Sequence, residues 1–355
     1  MKNDTKLLLS WYDAERRILP WREDPTPYHV WLSEIMLQQT RVEAVKEYYA
    51  RFLEALPDVA ALAAADEDTY LKLWEGLGYY SRVRNLHKAA VTVMEDYGGE
   101  IPGTAKELQK LSGIGEYTAA AIASIAFGEP VSSVDGNLLR VFARRTMYKE
   151  SVKDPAAKKA AYDYFMERMP QDRPGDYNQA LMDLGATVCL PNGEPECSRC
   201  PWADLCEAHE RGAELEVPVV PAKKARRVEH RNVYRLHCGN ELLLSKRPDT
   251  GLLAGLYEYP NELKPGDHTA RSAAGKREAK ELLDAFLEAH GLTPVSVFPL
   301  PAAKHIFSHV EWHMTGFDVE VESLDPVRDA SPLLVVSLAD LDRCSIPAAF
   351  DAYKY

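Results

Sequence analysis

LSGIGEYTAAAIASIAFGEPVSSVDGNLLRVFARR, residues 111–145, is the stretch on which the fold of the first half turns. Gly113 and Gly115 flank one apolar residue and lead straight into an alanine-rich helical pattern. Glycine lets the backbone turn tightly, and the start of the next helix offers unpaired N–H groups and a positive dipole end, which suit an anion. A helical run at 105–111 precedes the turn, so the whole reads as a helix-hairpin-helix that grips nucleic-acid backbone without reading sequence. Glycine in an αα-hairpin also serves geometry alone, and by itself the motif permits that plainer reading. Asp135, followed by Gly136-Asn137 and an amphipathic pattern, is first of all an N-cap. Its position downstream of the hairpin sets it beside a backbone which that hairpin would hold.

Outward from there the chain is helical from Thr26 to about Arg211, with breaks at Gly98-Gly99, Pro102-Gly103 and Pro174-Gly175. This half is expected to be all-α. VPVVPAKKARR, residues 217–227, has paired prolines, basic residues and no apolar face, which predicts a linker. Beyond it, short β-type runs at 233–237, 242–245, 295–298 and 312–321 surround one helical stretch at 273–289, so the second domain is expected to be α+β.

No apolar run reaches the length of a membrane span, and the charges among the first 17 residues interrupt any secretory apolar region. A cytoplasmic, monomeric protein without a membrane partner is the expectation. The net charge of −12 speaks against a generic polyanion binder. Its distribution qualifies this, because Arg82, Arg84 and Lys88 form one local basic group and Arg140, Arg144, Arg145 and Lys149 another. Each is a nucleic-acid patch or a solvated helix face.

Thr26-Pro27 starts a helix well, and along it Glu34 shares a face with Val30, Trp31 and Leu37. Desolvation there raises the carboxyl pKa, as a general acid near neutral pH requires. The alternative is a glutamate at the rim, exposed or paired with Arg41. Four of the six cysteines, Cys189, Cys197, Cys200 and Cys206, form a C-x7-C-x2-C-x5-C loop. Zinc sites of four thiolates usually show two short pairs, whereas an irregular loop suits a [4Fe-4S] cluster better.

Glu34 in LSEIMLQQT, the hairpin LSGIGEYTA, Asp135 in VDGNLLR and the four-cysteine loop occur in this order between Pro20 and Cys206. In this order they resemble the helix-hairpin-helix base-excision DNA glycosylases of the adenine-specific type. LLLSKRPDTGLLAGLYEYP and KHIFSHVEW, in the second half, are similar to the Nudix-like C-terminal domain of that family. The resemblance implies an all-α helix-hairpin-helix glycosylase domain at 1–212 with the cluster loop at 189–206, a linker at 213–230, and an α+β Nudix-like domain at 231–355 that recognises 8-oxoguanine. It implies removal of adenine mispaired with 8-oxoguanine or guanine in double-stranded DNA, with Gly113 and Gly115 on the DNA backbone. The first cysteine gap holds seven residues where the family has six, and one extra loop residue can bulge outward. Arg277-Glu278 and Glu281 are scattered remnants of a Nudix box, so the domain is expected to read a base rather than hydrolyse pyrophosphate.

Adenine leaves badly as an anion, which calls for an acid at the base and an anion at the sugar. Glu34, kept neutral, would protonate adenine at N7, and ionised Asp135 would stabilise the oxocarbenium ion. By resemblance Tyr117 and Asn137 orient this pair, and Trp21, Arg22 and Gln179 contact the extruded base. Gln39 and Tyr79, with Leu77 beside them, match the wedges that fill the gap left by base flipping. Phe307-Ser308-His309 resembles the loop that recognises 8-oxoguanine; the strand-like residues around His305, His309 and His313 argue against a helical metal face. Endonuclease III-type relatives carry a lysine nucleophile where this chain has Tyr117, so a lyase route lacks its amine. A non-catalytic lesion binder would have no need of both carboxylates.

Overall fold

The structure is a computed structural model that describes residues 2–221, 225–265 and 272–354. Two compact units divide it: Met1–Ala65 with Arg82–Ala222, and Asp66–Ser81 with Lys223–Tyr355. The helices of the first half are α1 Asn3–Glu15, α2 Pro20–Glu23, α3 Pro27–Leu37, α4 Val42–Ala55, α5 Val59–Ala64, α6 Glu67–Trp74, α7 Ser81–Asp96, α8 Ala105–Leu108, α9 Glu116–Phe127, α10 Gly136–Arg145, α11 Pro155–Met166, α12 Pro174–Thr187 and α13 Glu207–Glu210. Helical order begins upstream of Thr26, in α1 and α2, which the punctuation pattern missed. Among the described residues no helix is long and apolar enough to cross a membrane.

Local chemistry sets the ends of the helices that matter. The Thr26 hydroxyl accepts from the His29 amide at the start of α3, with Pro27 in the first turn. Gly128, at φ 73°, closes α9 in the left-handed conformation. Packing then brings the ends together: α3 lies on α9, and α12 lies on α1, α9 and α10. Leu8, Tyr12, Leu138, Phe142, Phe165, Tyr177, Leu181 and Trp202 form a fully closed core around α12. The expected linker at 213–230 is built otherwise. Ala213 and Val217 are buried with Ala143, Met147 and Ala208, and residues 227–230 already belong to a strand; residues 222–224 lie outside the described residues.

The second unit holds a mixed sheet of β1 Arg227–Cys238, β2 Glu241–Lys246, β3 Tyr257–Glu258, β4 Asn261–Leu263, β5 Pro294–Ile306, β6 Val310–Val321 and β7 Leu333–Ser337. Its order is β3-β2-β1-β6-β5, with β4 added on β1 and β7 on β2; β1 and β6 are parallel, and the other pairs antiparallel. Alternation sorts the side chains. Tyr234, Leu236 and Leu243 pack with Leu283 and Phe286 of α14 Ala273–Ala289, while Val233, Leu242 and Leu244 pack with Trp312, Phe350 and Tyr353. β5 runs on to Ile306 past Pro299 and Pro301, beyond its expected end at 298. It sits at the edge of the sheet and shifts register between Leu300 and Ala303, which is where a strand tolerates proline.

Candidate active site

Glu34 lies on the inward side of α3 and is 6% exposed, so neither the rim position nor a pairing with Arg41 describes it. Its Oε2 accepts a hydrogen bond of 2.9 Å from the Tyr117 hydroxyl in the first turn of α9. Burial pushes its carboxyl up to about 7; the Tyr117 hydrogen bond and the Arg22 charge pull it down, and Asp135 pushes it further up. Tyr117 itself is held well above the ordinary phenol value by burial and by the two carboxylates, so it stays a donor.

Asp135 caps α10. Its Oδ1 accepts from the amides of Asn137 and Leu138, each at 2.8 Å, and its Oδ2 from Asn137 Nδ2 at 3.0 Å. Burial raises its carboxyl above the ordinary value, against the pull of those amides and of Arg140. The two carboxyls are thus treated differently, because one side-chain donor serves Glu34 and three donors serve Asp135. The proton is better kept on Glu34.

Both carboxyls line one cavity of about 190 Å³ together with Tyr117, Asn137, Trp21, Arg22 and Gln179. All seven residues expected around the extruded base therefore meet. Arg17, Ser33 and Met182 also line it and carried no sequence signal. Gln39, Leu77 and Tyr79 are not part of this lining. Gln39 and Tyr79 are exposed loop residues with left-handed backbone, at φ 58° and 48°, whereas Leu77 is buried.

In the hairpin only one glycine is obligatory. Gly113 has φ 76°, and a Cβ there would come within 2.6 Å of Asn85 Cβ. Gly115 has an ordinary φ of −86° and open space around it. The basic groups need a larger correction. Arg82, Arg140 and Arg144 are buried and are neither a surface patch nor a solvated face. Arg82 donates to the carbonyls of Ile35, Met36 and Gln38 and so closes the C-terminal end of α3. Arg140 donates to Asn137 Oδ1, Gly185 O and Cys189 O, and Arg144 to Cys189 Sγ, Leu190 O, Glu214 O and Val217 O.

Cys189, Cys197, Cys200 and Cys206 line one cavity under Trp202, and none is in a disulfide. Thiolates around a single zinc would lie about 3.8 Å apart, from Zn–S bonds of about 2.3 Å. Among the described residues the only metal-capable trio with ligand atoms within 4.8 Å of one another is Cys197, His209 and Glu214. The four cysteines, distant by up to 17 positions in the chain, are thus brought to one cavity.

In the second unit Phe307-Ser308-His309 forms the tight turn between β5 and β6, closed by Phe307 N–H to Val310 O at 2.9 Å. Phe307 packs against His305 and Trp312, with ring centroids at 4.6 and 4.8 Å, and Ser308 and His309 are exposed at the tip. Arg277 and Glu281 are exposed on α14 and pair loosely at 4.0 Å.

A helical pocket bounded by a hairpin and a capped aspartate, joined to a separate mixed-sheet unit, defines a class. Residues 32–169 match the HhH-GPD superfamily of base excision DNA repair proteins, and residues 232–353 match the NUDIX domain. The adenine DNA glycosylase of Rattus norvegicus is 35% identical over 92% of this chain and 72% of the relative, and that of Homo sapiens 35% identical over 92% and 68%. A solved thermostable thymine-DNA glycosylase is similar at 28% identity and a TM-score of 0.52, covering 58% of this chain and 95% of that one. The chain belongs to the adenine DNA glycosylase family.

Proposed function

We propose that this chain removes adenine from DNA duplexes in which it is mispaired with 8-oxoguanine or guanine, by base flipping and acid-assisted hydrolysis of the N-glycosidic bond. The observation that carries the reading is the buried Glu34 carboxyl, held near pKa 7 in the same cavity as the amide-capped Asp135. With the nucleotide extruded, Glu34 delivers its proton to adenine N7. As the bond lengthens, Asp135 balances the positive charge on the sugar. General acid assistance of this kind is worth roughly 3 to 5 kcal/mol. Tyr117 holds the acid in place, while Trp21, Arg22 and Gln179 offer the base a stacking face and hydrogen bonds. Gln39 and Tyr79, exposed and in strained backbone, are suited to fill the vacated stack.

The N-terminal amides of α9 behind Gly113 and Gly115 would hold a DNA phosphate. Cys189, Cys197, Cys200 and Cys206 would hold a [4Fe-4S] cluster, which when bound supplies a rigid thiolate-anchored loop. The turn Phe307-Ser308-His309 would read the oxidised base opposite adenine.

Glu34→Gln tests this reading. Single-turnover release of adenine from an 8-oxoguanine:adenine duplex should fall by at least 100-fold, the lower range for one general acid, with duplex affinity nearly unchanged. Product strands should stay intact until alkali is added, and borohydride should trap no covalent adduct at native efficiency. Full activity in the variant sinks the acid assignment.

A further inference from the structure

Asp183, on the inner side of α12, is a buried carboxylate to which the chemistry above gives no task. Its side chain is 1% exposed. Oδ1 accepts from Arg17 Nε at 2.7 Å and Arg22 Nη2 at 2.9 Å; Oδ2 accepts from Arg22 Nη1 at 2.7 Å and from the Arg17 backbone N–H at 3.2 Å. Arg22 Nη1 also donates to Arg17 O at 3.3 Å. One carboxylate thus ties down both ends of the segment 17–22. That segment supplies Arg17, Leu19, Trp21 and Arg22 to the pocket lining, which makes it a wall of the base cavity.

Charge adds a second consequence. The charged and titratable groups that face Glu34 are Tyr117 from α9, Arg22 from α2 and Asp135 at the start of α10. Tyr117 keeps its proton, Asp135 favours the neutral acid, and Arg22 favours the ionised one. Burial alone would raise the Asp183 carboxyl, yet the hydrogen bonds and charges of Arg22 and Arg17 hold it below the ordinary value, so it is an anion at neutral pH. Its charge lies against the guanidinium that would otherwise draw the proton off Glu34.

We propose that Asp183 is a positioning residue of this pocket: it fixes the Arg17–Arg22 wall and offsets part of the charge that Arg22 places beside the acid. The proposal rests on the reading of Glu34 as the general acid. It goes beyond that reading, because a carboxylate that touches neither base nor sugar then sets the pH range in which the enzyme works.

The experiment is the pH profile of single-turnover adenine release by the purified full chain. Asp183→Asn keeps the shape of the side chain and removes its charge. Its alkaline limb should move about one pH unit lower, so that the rate falls roughly tenfold at pH 8 and only about twofold at pH 6, and Asp183→Glu should bring the limb back. Arg22→Gln should move the limb the other way, and it carries the test alone if Asp183→Asn does not fold. Limbs that stay at the wild-type position in these variants, with rates lowered equally at every pH, overturn the proposal and leave a structural role only. A wild-type profile without any alkaline limb removes the acid reading, and this proposal with it; a limb that is present but unmoved overturns this proposal alone.

Discussion

Glu34 is the residue whose environment opposes the fold it belongs to. An exposed glutamate ionises near 4.5, and the folded protein holds this one up to about 7. In this case the folded pKa is the raised one. The neutral form is therefore tolerated in both states below pH 4.5, and stability is lost progressively as pH rises towards 7, where the unfolded chain ionises and the buried group resists. The shift corresponds to a loss of up to about 3 kcal/mol above pH 7. Glu34→Gln carries no such charge. Denaturant unfolding of wild type and variant should agree at pH 4.5 and diverge by up to about 3 kcal/mol in favour of the variant at pH 8. A constant difference across that range would mean that Glu34 is no more desolvated than a surface acid. The more stable variant is also the one expected to lose adenine release, which is the trade-off of a site that stores strain for chemistry.

At the scale of elements, the geometry around Asp135, to which a catalytic role is proposed above, depends on how closely α12 approaches α10. Gly185 of α12 is the contact point, where an added Cβ would lie 2.8 Å from Asn137 Cβ and 3.6 Å from Arg140 Nη2. Asn137 in turn donates to Asp135 through both its amide and its side chain. Gly185→Ala should therefore cost about 1–3 kcal/mol of stability by overpacking. At 25 °C, where the variant remains folded, it should also slow adenine release by at least roughly tenfold, since about 1.4 kcal/mol of lost positioning suffices. Loss of stability with an unchanged rate would show that Asn137 is not coupled to the chemistry. The elements themselves were largely legible from local patterns. Thr26 and Asp135 cap through their own neighbours' amides, so sequence alone placed them, while the apolar stripe made burial of Glu34 one of two readings that the fold then decided. Arg82, Arg140 and Arg144 were not legible, because carbonyls far along the chain, such as Gly185 O and Glu214 O, decide whether a cation can be buried. Asp183 was missed for the same reason. In ALMDLGAT it reads as a surface acid until Arg17 and Arg22, more than 160 positions away, are brought to it. The short strands β3 and β4 gave no alternation long enough to read.

For the whole molecule, the division of labour between two separately cored units yields the last test. Glu34, Asp135 and the cavity they line all belong to the helical unit, whereas the turn at Phe307 belongs to the sheet unit. Phe307 is fixed by its two ring neighbours and by the turn hydrogen bond, so the tip residues Ser308 and His309 can change without disturbing the fold beneath them. If the tip reads 8-oxoguanine, its replacement should remove discrimination and spare chemistry. One or two hydrogen bonds at about 1 kcal/mol each amount to roughly a tenfold effect. The double replacement Ser308→Ala with His309→Ala should lower the ratio of kcat/KM for 8-oxoguanine:adenine over guanine:adenine by about that factor, while the guanine:adenine rate stays at the wild-type value. Equal losses on both duplexes would assign the turn to general DNA contact, and equal retention would remove it from recognition altogether. Only a selective loss separates a reader of the opposite base from a second clamp.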